Sequence, residues 1–243
     1  MPVDCTDCPL RTKALFHPMS PSELAFMRRF KVGERVIAPG TQLLSEGEPS
    51  DELFTVLAGL GLRSKALANG GRQVVGVVFP GDFVGLQAGV MDAMQHSVEA
   101  RTEMTVCVFR RDALWHLFRE HPERAHDLTW LAALEEHLLG ESLAALGRLG
   151  GKQRLARGLY RLYRRGDALG LVRDGRMRMP FIQQDLADAL GLSLVHTNKL
   201  LRTFREGRIA GWSDGHLHVL DENRLRDLAL VPEDRPPPPR PLI

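Results

Sequence analysis

The sequence predicts an α+β protein with three successive parts: an N-terminal β-roll, a long central helix and a C-terminal winged helix-turn-helix. Three observations support this order. Short apolar runs separated by glycines dominate residues 30–110, and many short strands with regular turns are typical of a barrel or sandwich. A proline-free helical segment follows. The last third then contains two segments whose apolar residues recur at helical spacing, joined at a glycine. An Asp-Gly pair that predicts a β-hairpin follows them.

The β region accounts for most of the first 110 residues. Its apolar runs are rich in Val, Leu and Phe and read RVIA, QLL, LFTVL, LGLR, QVVGVVF and TVCVF. Glycine allows the backbone conformations that tight turns need. The glycines between the runs are Gly33, Gly40, Gly47, Gly59, Gly70, Gly71 and Gly81. We therefore assign residues 1–110 to an N-terminal extension followed by a β domain.

The cysteines and the lack of long apolar segments restrict where the chain works. Cys5, Cys8 and Cys107 are too few and too unevenly spaced for a disulfide framework, so we expect thiols or metal ligands. No stretch approaches the roughly 20 apolar residues of a membrane span. Residues 1–11 also lack the apolar core of an export signal. The sequence therefore predicts a cytoplasmic protein without a membrane partner.

Residues 111–150 are predicted to contain a long central helix that mediates dimerisation. The chain has no proline between Pro122 and Leu149, and leucines recur there at helical spacing. The stripe that we assign to the dimer contact consists of Leu128, Leu131, Leu138, Ala145 and Leu149. The alternative is a helix buried within one subunit. Because glycine lowers helix stability, Gly150-Gly151 is the expected hinge and domain boundary.

Residues 183–202 have the spacing of a helix-turn-helix. The first helix has an apolar face formed by Leu186, Ala187 and Leu190. Its solvent-facing residues are expected to be Gln183, Gln184, Asp185 and Asp188. Gly191 permits the left-handed backbone of a tight turn, and Ser193 can cap the next helix.

The second helix of this pair is predicted to present a polar face to DNA. Its inner face is formed by Thr197, Leu200, Leu201 and Phe204. The predicted DNA contacts are Val195, His196, Asn198, Lys199, Arg202 and Arg205, with Gln183 of the first helix. The alternative is an ordinary helix pair in a globular core. However, the next segment, GRIAGWSDGHLHVL, predicts two strands joined at Asp214-Gly215. A hairpin in this place indicates a winged helix-turn-helix over residues 151–230.

Basic residues are concentrated in the C-terminal part. From Arg148 onward there are 18 Lys and Arg against 11 Asp and Glu, whereas the preceding residues carry 14 against 19. Such a balance favours contacts with DNA phosphates, although a solvated surface has the same composition. The candidates are Arg154, Arg157, Arg161, Arg164, Arg165, Arg173, Arg176 and Arg178. The proline-rich segment 231–243 is predicted to be disordered.

In this order of parts the chain resembles the CRP/FNR family of bacterial transcription regulators. The strings FPGDFVGLQAGV and DLADALGLS are similar to a β-domain loop and to the start of the helix-turn-helix in that family, and the resemblance covers nearly the whole chain. It implies that the β domain is a cyclic-nucleotide-binding-like β-roll, a double-stranded β-helix, that acts as a sensor. It also implies a homodimer that binds a two-fold symmetric operator in double-stranded DNA and works with RNA polymerase.

The residues that such family members use to bind cyclic AMP are absent. The resemblance places Gly85-Leu86 where those members have Gly-Glu, and His96-Ser97 where they have Arg-Ser. Leu86 cannot accept a hydrogen bond from a ribose hydroxyl, and His96 is mostly neutral at cytosolic pH. We therefore expect a signal other than cyclic AMP, with oxygen or redox state as candidates.

Cys5, Cys8 and Cys107 resemble three of the four ligands that hold the iron-sulfur cluster of FNR-type members. The missing ligand would fall at Ala14, so a four-cysteine cluster cannot form from this chain. Three interpretations are open: no cofactor, a cluster with a non-cysteine fourth ligand, or thiol redox chemistry at Cys5 and Cys8. The candidates for a non-cysteine ligand are Asp4, Asp7 and His17.

Two further expectations follow from the resemblance and its departures. FNR-type members read DNA with the motif E-x-x-S-R, which becomes Val195, Asn198 and Lys199 here, so the operator should differ from theirs. The competing functional class is a small-molecule metalloenzyme of the cupin type. Such an enzyme needs two or three histidines and a carboxylate inside the barrel, whereas the β region offers only His96. We therefore expect a regulator and not an enzyme.

Overall fold

The computed structural model describes residues 3–231 and 239–243. These residues form two compact units. The first unit extends to His137 and also includes Pro239–Ile243, whereas the second begins at Leu138. The mixture of helices and sheets agrees with the predicted α+β class. None of the helices in the described part of the chain has the length and hydrophobicity of a membrane span.

The first unit is a β-roll with helices before and after it. In chain order it contains α1 (Pro21–Phe30), β1 (Lys31–Ile37), β2 (Gln42–Leu44), β3 (Glu52–Ala58), β4 (Gly61–Ala66), β5 (Arg72–Val78), β6 (Phe83–Val84), α2 (Leu86–Met91), β7 (Ser97–Ala100), β8 (Met104–Arg110), α3 (Leu114–Glu120) and the start of α4 (Pro122–Arg148). The strands form two antiparallel four-stranded sheets, in the orders β1-β8-β3-β6 and β2-β7-β4-β5. Side chains from both sheets, among them Phe54, Val98 and Val106, form one buried apolar cluster. The predicted β-roll is confirmed.

The sheet that contains β3 and β8 is covered on both of its faces. Phe54 belongs to the interior cluster, so its neighbours Leu53 and Thr55 point to the outer face of the sheet. Both neighbours are nonetheless buried. Helix α1 supplies part of the cover, because Phe30 stacks on Phe109 of β8 with their ring centroids 4.9 Å apart. The outer face is therefore a second, smaller core between the sheet and the N-terminal segment.

Helix α1 and strand β6 are not evident from the apolar runs. The Ser20 hydroxyl accepts the Glu23 backbone N–H at 3.3 Å, and Glu23 Oε2 accepts the Ser20 N–H at 2.7 Å. This capping box, followed by Pro21 in the first turn, is the sequence signal that identifies α1. Strand β6 consists of Phe83 and Val84 alone. A strand that short has no alternation for a pattern to detect.

The predicted central helix consists of two helices, α3 and the longer α4. The next helix begins at Gly151, so a helix boundary falls at the Gly150-Gly151 pair, whereas the two compact units divide between His137 and Leu138. Leu128 and Leu131, however, are buried in the core of the first unit and cannot contact a partner. The other predicted dimer residues, Leu138, Ala145 and Leu149, are half-buried. Spacing identifies apolar positions on a helix, but it does not reveal which of them the same subunit already covers.

The second unit contains the C-terminal part of α4, from Leu138 onward, and a winged helix-turn-helix. Its further elements are α5 (Gly151–Ala168), β9 (Val172–Arg173), β10 (Arg176–Arg178), α6 (Gln183–Leu190), α7 (Leu194–Glu206), β11 (Ala210–Ser213), β12 (His216–Val219) and α8 (Glu222–Leu228). The strands form a sheet in the order β11-β12-β10-β9. Asp214-Gly215 joins β11 to β12 with φ angles of 51° and 68°, which confirms the predicted hairpin. Asp174-Gly175 joins β9 to β10 with the same type of turn.

The C-terminal segment departs from the disorder predicted for residues 231–243. Residues 232–238 lie outside the described residues. Residues 239–243 belong to the first unit, and Arg240, Leu242 and Ile243 are buried there. A high proline content prevents a helix or a central strand. It does not prevent an extended segment from being held by an existing surface.

Candidate functional sites

The helix-turn-helix is built from α6, a short turn and α7. Gly191 ends α6 in the left-handed conformation, with φ at 59°. A Cβ atom at this position would come within 3.0 Å of the Leu146 side chain, so both backbone and space favour glycine. Ser193 then caps α7, because its hydroxyl accepts the His196 backbone N–H at 3.2 Å. Gly191 and Ser193 thus have the roles that the sequence predicts.

The inner face of α7 fixes this helix within the second unit. Thr197, Leu201 and Phe204 are buried, as their spacing predicts. Asp185 of α6 differs from the expectation that it faces solvent. It is buried, and its carboxylate accepts the Ile182 backbone N–H at 2.9 Å. A carboxylate in the first turn of a helix can fold back onto an unpaired backbone N–H, which a helical periodicity does not reveal.

The outer face of α7 presents five of the predicted contact residues to solvent. These are Val195, Asn198, Lys199, Arg202 and Arg205. Steps of three and four residues place them on one side of the helix. Val195 is the most accessible apolar member, with 80% of its surface exposed. Arg202 Nε donates to Glu206 Oε1 at 2.7 Å, and Gln183 is exposed at the start of α6.

His196 is exposed, but its ring also packs against a neighbouring helix. A Cβ atom at Gly151 would lie 2.7 Å from His196 Nε2, so the imidazole rests on the first turn of α5. This close approach depends on the lack of a side chain at Gly151. The position of His196 between α7 and α5 was not predicted, because the two residues are far apart in sequence.

Three of the eight arginines predicted to face phosphates have identified partners inside the second unit. Arg154 Nη1 donates to the Leu190 carbonyl at 2.8 Å and thereby satisfies the C-terminal end of α6. Arg157 pairs with Glu141, and Arg164 pairs with Glu222 at 3.1 Å. Arg161 and Arg165 are half-buried, whereas Arg173, Arg176 and Arg178 of the β9-β10 hairpin are exposed. The basic composition of this region is therefore partly structural.

Two exposed cations near the helix-turn-helix carry no recognisable signal in the sequence. Lys152 lies in the first turn of α5, directly after the glycine that His196 contacts. Arg208 follows α7 in a left-handed conformation with φ at 52°. Neither residue belongs to a helical repeat or a known motif. Their position near α7 becomes apparent only from the folded chain.

The β-roll lacks the polar groups that would hold a cyclic nucleotide. Leu86 follows Gly85 at the start of α2 and offers no acceptor to a ribose. The pKa of His96 is lowered to about 4, chiefly by burial and also by the nearby cations Arg63 and Lys65. The ring is therefore neutral at pH 7 and cannot neutralise a phosphate. Arg63 is buried and paired with Glu135. These residues do not fit a cyclic nucleotide.

The three cysteines lie on one side of the β-roll. Cys107 pairs with Thr55 across β8 and β3, which places it on the outer face of that sheet. The pKa of Cys107 is raised to about 11, chiefly by burial, while the Lys31 ammonium opposes the shift. Burial also raises the pKa of Cys5, and the charge of a Cys8 thiolate would add to both shifts. The spacing of the cysteines thus does predict their proximity.

This cysteine group does not fit an iron-sulfur cluster. A cluster of this kind takes four cysteine thiolates, and the chain supplies three cysteines. The Lys31 ammonium, whose Nζ donates to the Val3 carbonyl at 2.6 Å, opposes the raised pKa values of Cys5 and Cys107. Over residues 3–231 and 239–243, no group of three or more His, Cys, Asp or Glu side chains is arranged to hold a metal ion. The predicted substitutes Asp4, Asp7 and His17 therefore do not complete a ligand set.

Two protein-family models match the chain. A cyclic nucleotide-binding domain matches residues 34–121, which run from β1 to the end of α3. A Crp-like helix-turn-helix domain matches residues 153–228, which run from α5 to α8. The two matches agree with the β-roll and the helix-turn-helix described above.

Similar proteins match over almost the full length. The nitrogen fixation regulation protein FixK of Bradyrhizobium diazoefficiens is 31% identical over 231 residues, which cover 93% of each chain. The transcriptional activator protein FnrL of Cereibacter sphaeroides is 29% identical over 229 residues, which cover 93% of this chain and 91% of FnrL. The solved structure of FixK2 from Bradyrhizobium japonicum has a TM-score of 0.74 at 25% identity, and the match covers 82% of this chain and 98% of that one.

Proposed function

Since this chain belongs to the CRP/FNR family of DNA-binding transcription regulators, we propose that it binds a two-fold symmetric operator as a homodimer and reads it with the outer face of α7. The observation that supports this most directly is the contrast between the two faces of α7. Phe204 is fully buried on one face, whereas Val195 is 80% exposed on the other. A helix held in this way presents a fixed set of side chains to the major groove.

Three residues of the outer face are assigned to base contacts. Asn198 suits the hydrogen-bonding edge of adenine, Lys199 suits the acceptors of guanine, and Val195 can pack on a thymine methyl group. A good contact of this kind discriminates between bases by about 1 to 3 kcal/mol. Arg202, Arg205 and Gln183 are assigned to phosphates, together with the exposed cations Lys152 and Arg208. His196 is assigned to a base contact or a phosphate contact, in addition to its contact with α5.

The homodimer contact is assigned to the exposed side of α4. Leu139 and Leu143 lie one turn apart there, with 51% and 73% of their surfaces exposed. Leucines that remain this accessible on a long helix are typical of a helix-helix interface. They replace Leu128 and Leu131, which the first unit buries. In such a dimer the two α7 helices would be about 34 Å apart, one turn of DNA.

We assign the signal that controls this regulator to a class other than cyclic nucleotides. Leu86 and a neutral His96 occupy the positions where cyclic-AMP-binding members have the residues that bind the ribose and the phosphate. The relative FnrL is a transcriptional activator and the relative FixK is a regulation protein of nitrogen fixation, and the cupin-type alternative lacks the necessary histidines. By family resemblance the partners are double-stranded DNA and RNA polymerase, and the location is the cytoplasm. The expected half-site is not that of FNR-type members.

Replacing Lys199 by alanine is expected to weaken binding to an operator selected from random duplexes by about 5- to 100-fold, as loss of a base contact implies. Binding to random competitor DNA should change much less. The measurement is fluorescence anisotropy with both duplexes at the same salt concentration, because phosphate contacts depend on salt. The matched control is Lys152→Ala, which should weaken both duplexes equally. Equal losses with Lys199→Ala would remove this residue from the base contacts.

Anaerobic purification is expected to yield a colourless protein without stoichiometric iron or sulfide. The physical reason is the missing fourth cysteine ligand, which would fall at Ala14. Iron and sulfide analysis and an absorbance spectrum measure the cluster content. The Cys107→Ser variant should bind the operator as tightly as the unchanged chain does. A brown protein whose colour and operator affinity are lost on exposure to air would contradict this expectation.

A further inference from the structure

The segment 239–243, here named the strap, lies in a groove on the first unit. Its backbone pairs with the N-terminal segment: the Arg240 N–H donates to the Leu15 carbonyl at 2.8 Å, and the His17 N–H donates to the Arg240 carbonyl at 2.9 Å. Phe16, between these two residues, forms a parallel β-bridge with Arg240. The groove therefore binds the strap as an extended chain.

One side of the groove is formed by the loop that contains Gly81 and Asp82. A Cβ atom at Gly81 would come within 2.1 Å of the Phe16 ring, so only glycine allows the ring to lie there. Asp82 Oδ1 accepts a hydrogen bond from Arg240 Nη1 at 3.1 Å, and Oδ2 accepts the Phe79 N–H at 2.9 Å. The two side chains of this ion pair are only 7% and 1% exposed. A carboxylate this deeply buried requires a cation, and the strap supplies it.

The last two strap residues are recognised through their carbonyls and their side chains. Arg124 Nη1 donates to the Leu242 carbonyl at 3.1 Å, and the Thr55 hydroxyl donates to the Ile243 carbonyl. Arg124 is itself held by Glu23 Oε1 at 2.6 Å. The side chains of Leu242 and Ile243 are buried. Each carbonyl thus has its own side-chain donor, which a non-specific contact would not provide.

We propose that this groove is a specific peptide-binding site whose occupant is the strap. The groove residues are Leu15, Phe16, Thr55, Asp82 and Arg124, and all of them belong to the first unit. The groove recognises an arginine, then a proline, then two apolar residues. The proline at position 241 suits this site, because its fixed φ favours an extended chain and reduces the conformational entropy lost on docking.

The strap follows the second unit in the chain but belongs to the first unit. Its release would therefore leave the groove free. No residue of the proposed DNA contact or dimer contact takes part in this site.

Amide hydrogen exchange of the full-length chain tests whether the strap is docked. The Arg240 and His17 amides should be protected, and Arg240→Ala should speed their exchange by at least about tenfold because the local opening free energy falls. The matched control is Arg29→Ala, which removes an exposed arginine of the same unit. Unprotected Arg240 and His17 amides in the unchanged chain would overturn the proposal. Equal exchange rates of these two amides in Arg240→Ala and in Arg29→Ala would also overturn it.

Competition with a peptide tests whether the groove is specific. A labelled peptide with the sequence of residues 236–243 should bind the full-length Arg240→Ala chain at least about tenfold more tightly than the unchanged chain, whose groove is filled. A peptide carrying the same arginine-to-alanine change should not bind either chain. Equal binding of the first peptide to both chains, or of both peptides to the variant, would contradict a site that recognises arginine. Absence of binding to the variant would also contradict it.

Discussion

Replacing Leu143 by aspartate is expected to produce a monomer that no longer binds the operator at concentrations where the unchanged chain is saturated. Leu143 is the most exposed leucine of α4, at 73%, and Leu139 accompanies it one turn earlier. An aspartate at the proposed contact would place two carboxylates in an apolar interface, where each loses its hydration. A monomer engages one half-site only, so the gain from joining two contacts is lost, which amounts to a factor of about 100 or more.

Analytical ultracentrifugation measures the oligomeric state of this variant, and a gel-shift titration measures its operator binding. Leu67→Asp is the matched control, because Leu67 is also half-exposed but lies in the β4-β5 connection. This control should remain a dimer and bind normally. A Leu143→Asp protein that stays dimeric would move the contact elsewhere on the chain. A monomer with undiminished operator affinity would contradict the proposed two-fold binding.

The helix-turn-helix is predictable from sequence because its constraints are local. Gly191 must turn, Ser193 must cap, and Phe204 must point inward, and each requirement appears as a residue type at a fixed spacing. The same holds for the Asp214-Gly215 hairpin. Residue type alone decides these features, so no knowledge of distant parts of the chain is needed.

The features that escape prediction depend on what covers a residue. Leu128 and Leu143 look alike on a helical repeat, but the first unit buries one and leaves the other exposed. Arg154 looks like a phosphate contact until its bond to the Leu190 carbonyl is seen. The strap is the extreme case, since Arg240 and Asp82 are 158 residues apart in sequence. No periodicity links residues at that separation.

The cysteines show a third situation, in which the spacing predicts proximity but not chemistry. Cys5, Cys8 and Cys107 are brought together, yet burial raises the pKa of Cys107 to about 11. Burial also neutralises His96 by lowering its pKa to about 4. Desolvation disfavours the charged form of either group, and it is a property of the fold and not of the residue. The charge states of these groups in the free protein therefore follow from the fold and cannot be read from residue type.

Replacing Phe204 by alanine is expected to lower the free energy of unfolding by about 3 to 5 kcal/mol, because a fully buried ring leaves a cavity. Phe204 is 0% exposed on the inner face of α7. Since that face fixes the helix, operator binding should fall as well, although the residue does not face DNA. Urea unfolding followed by circular dichroism measures the first effect, and gel shift measures the second.

Val195→Ala is the informative counterpart, since Val195 lies on the opposite face of the same helix and is 80% exposed. Its effect on the free energy of unfolding should stay within about 0.5 kcal/mol. It should nevertheless reduce the preference for thymine at one operator position, because the apolar contact with the methyl group is lost. If Val195→Ala lowered the free energy of unfolding as much as Phe204→Ala, α7 would not have one face for packing in the core and another for contacting DNA bases. The proposed mode of DNA recognition requires that division.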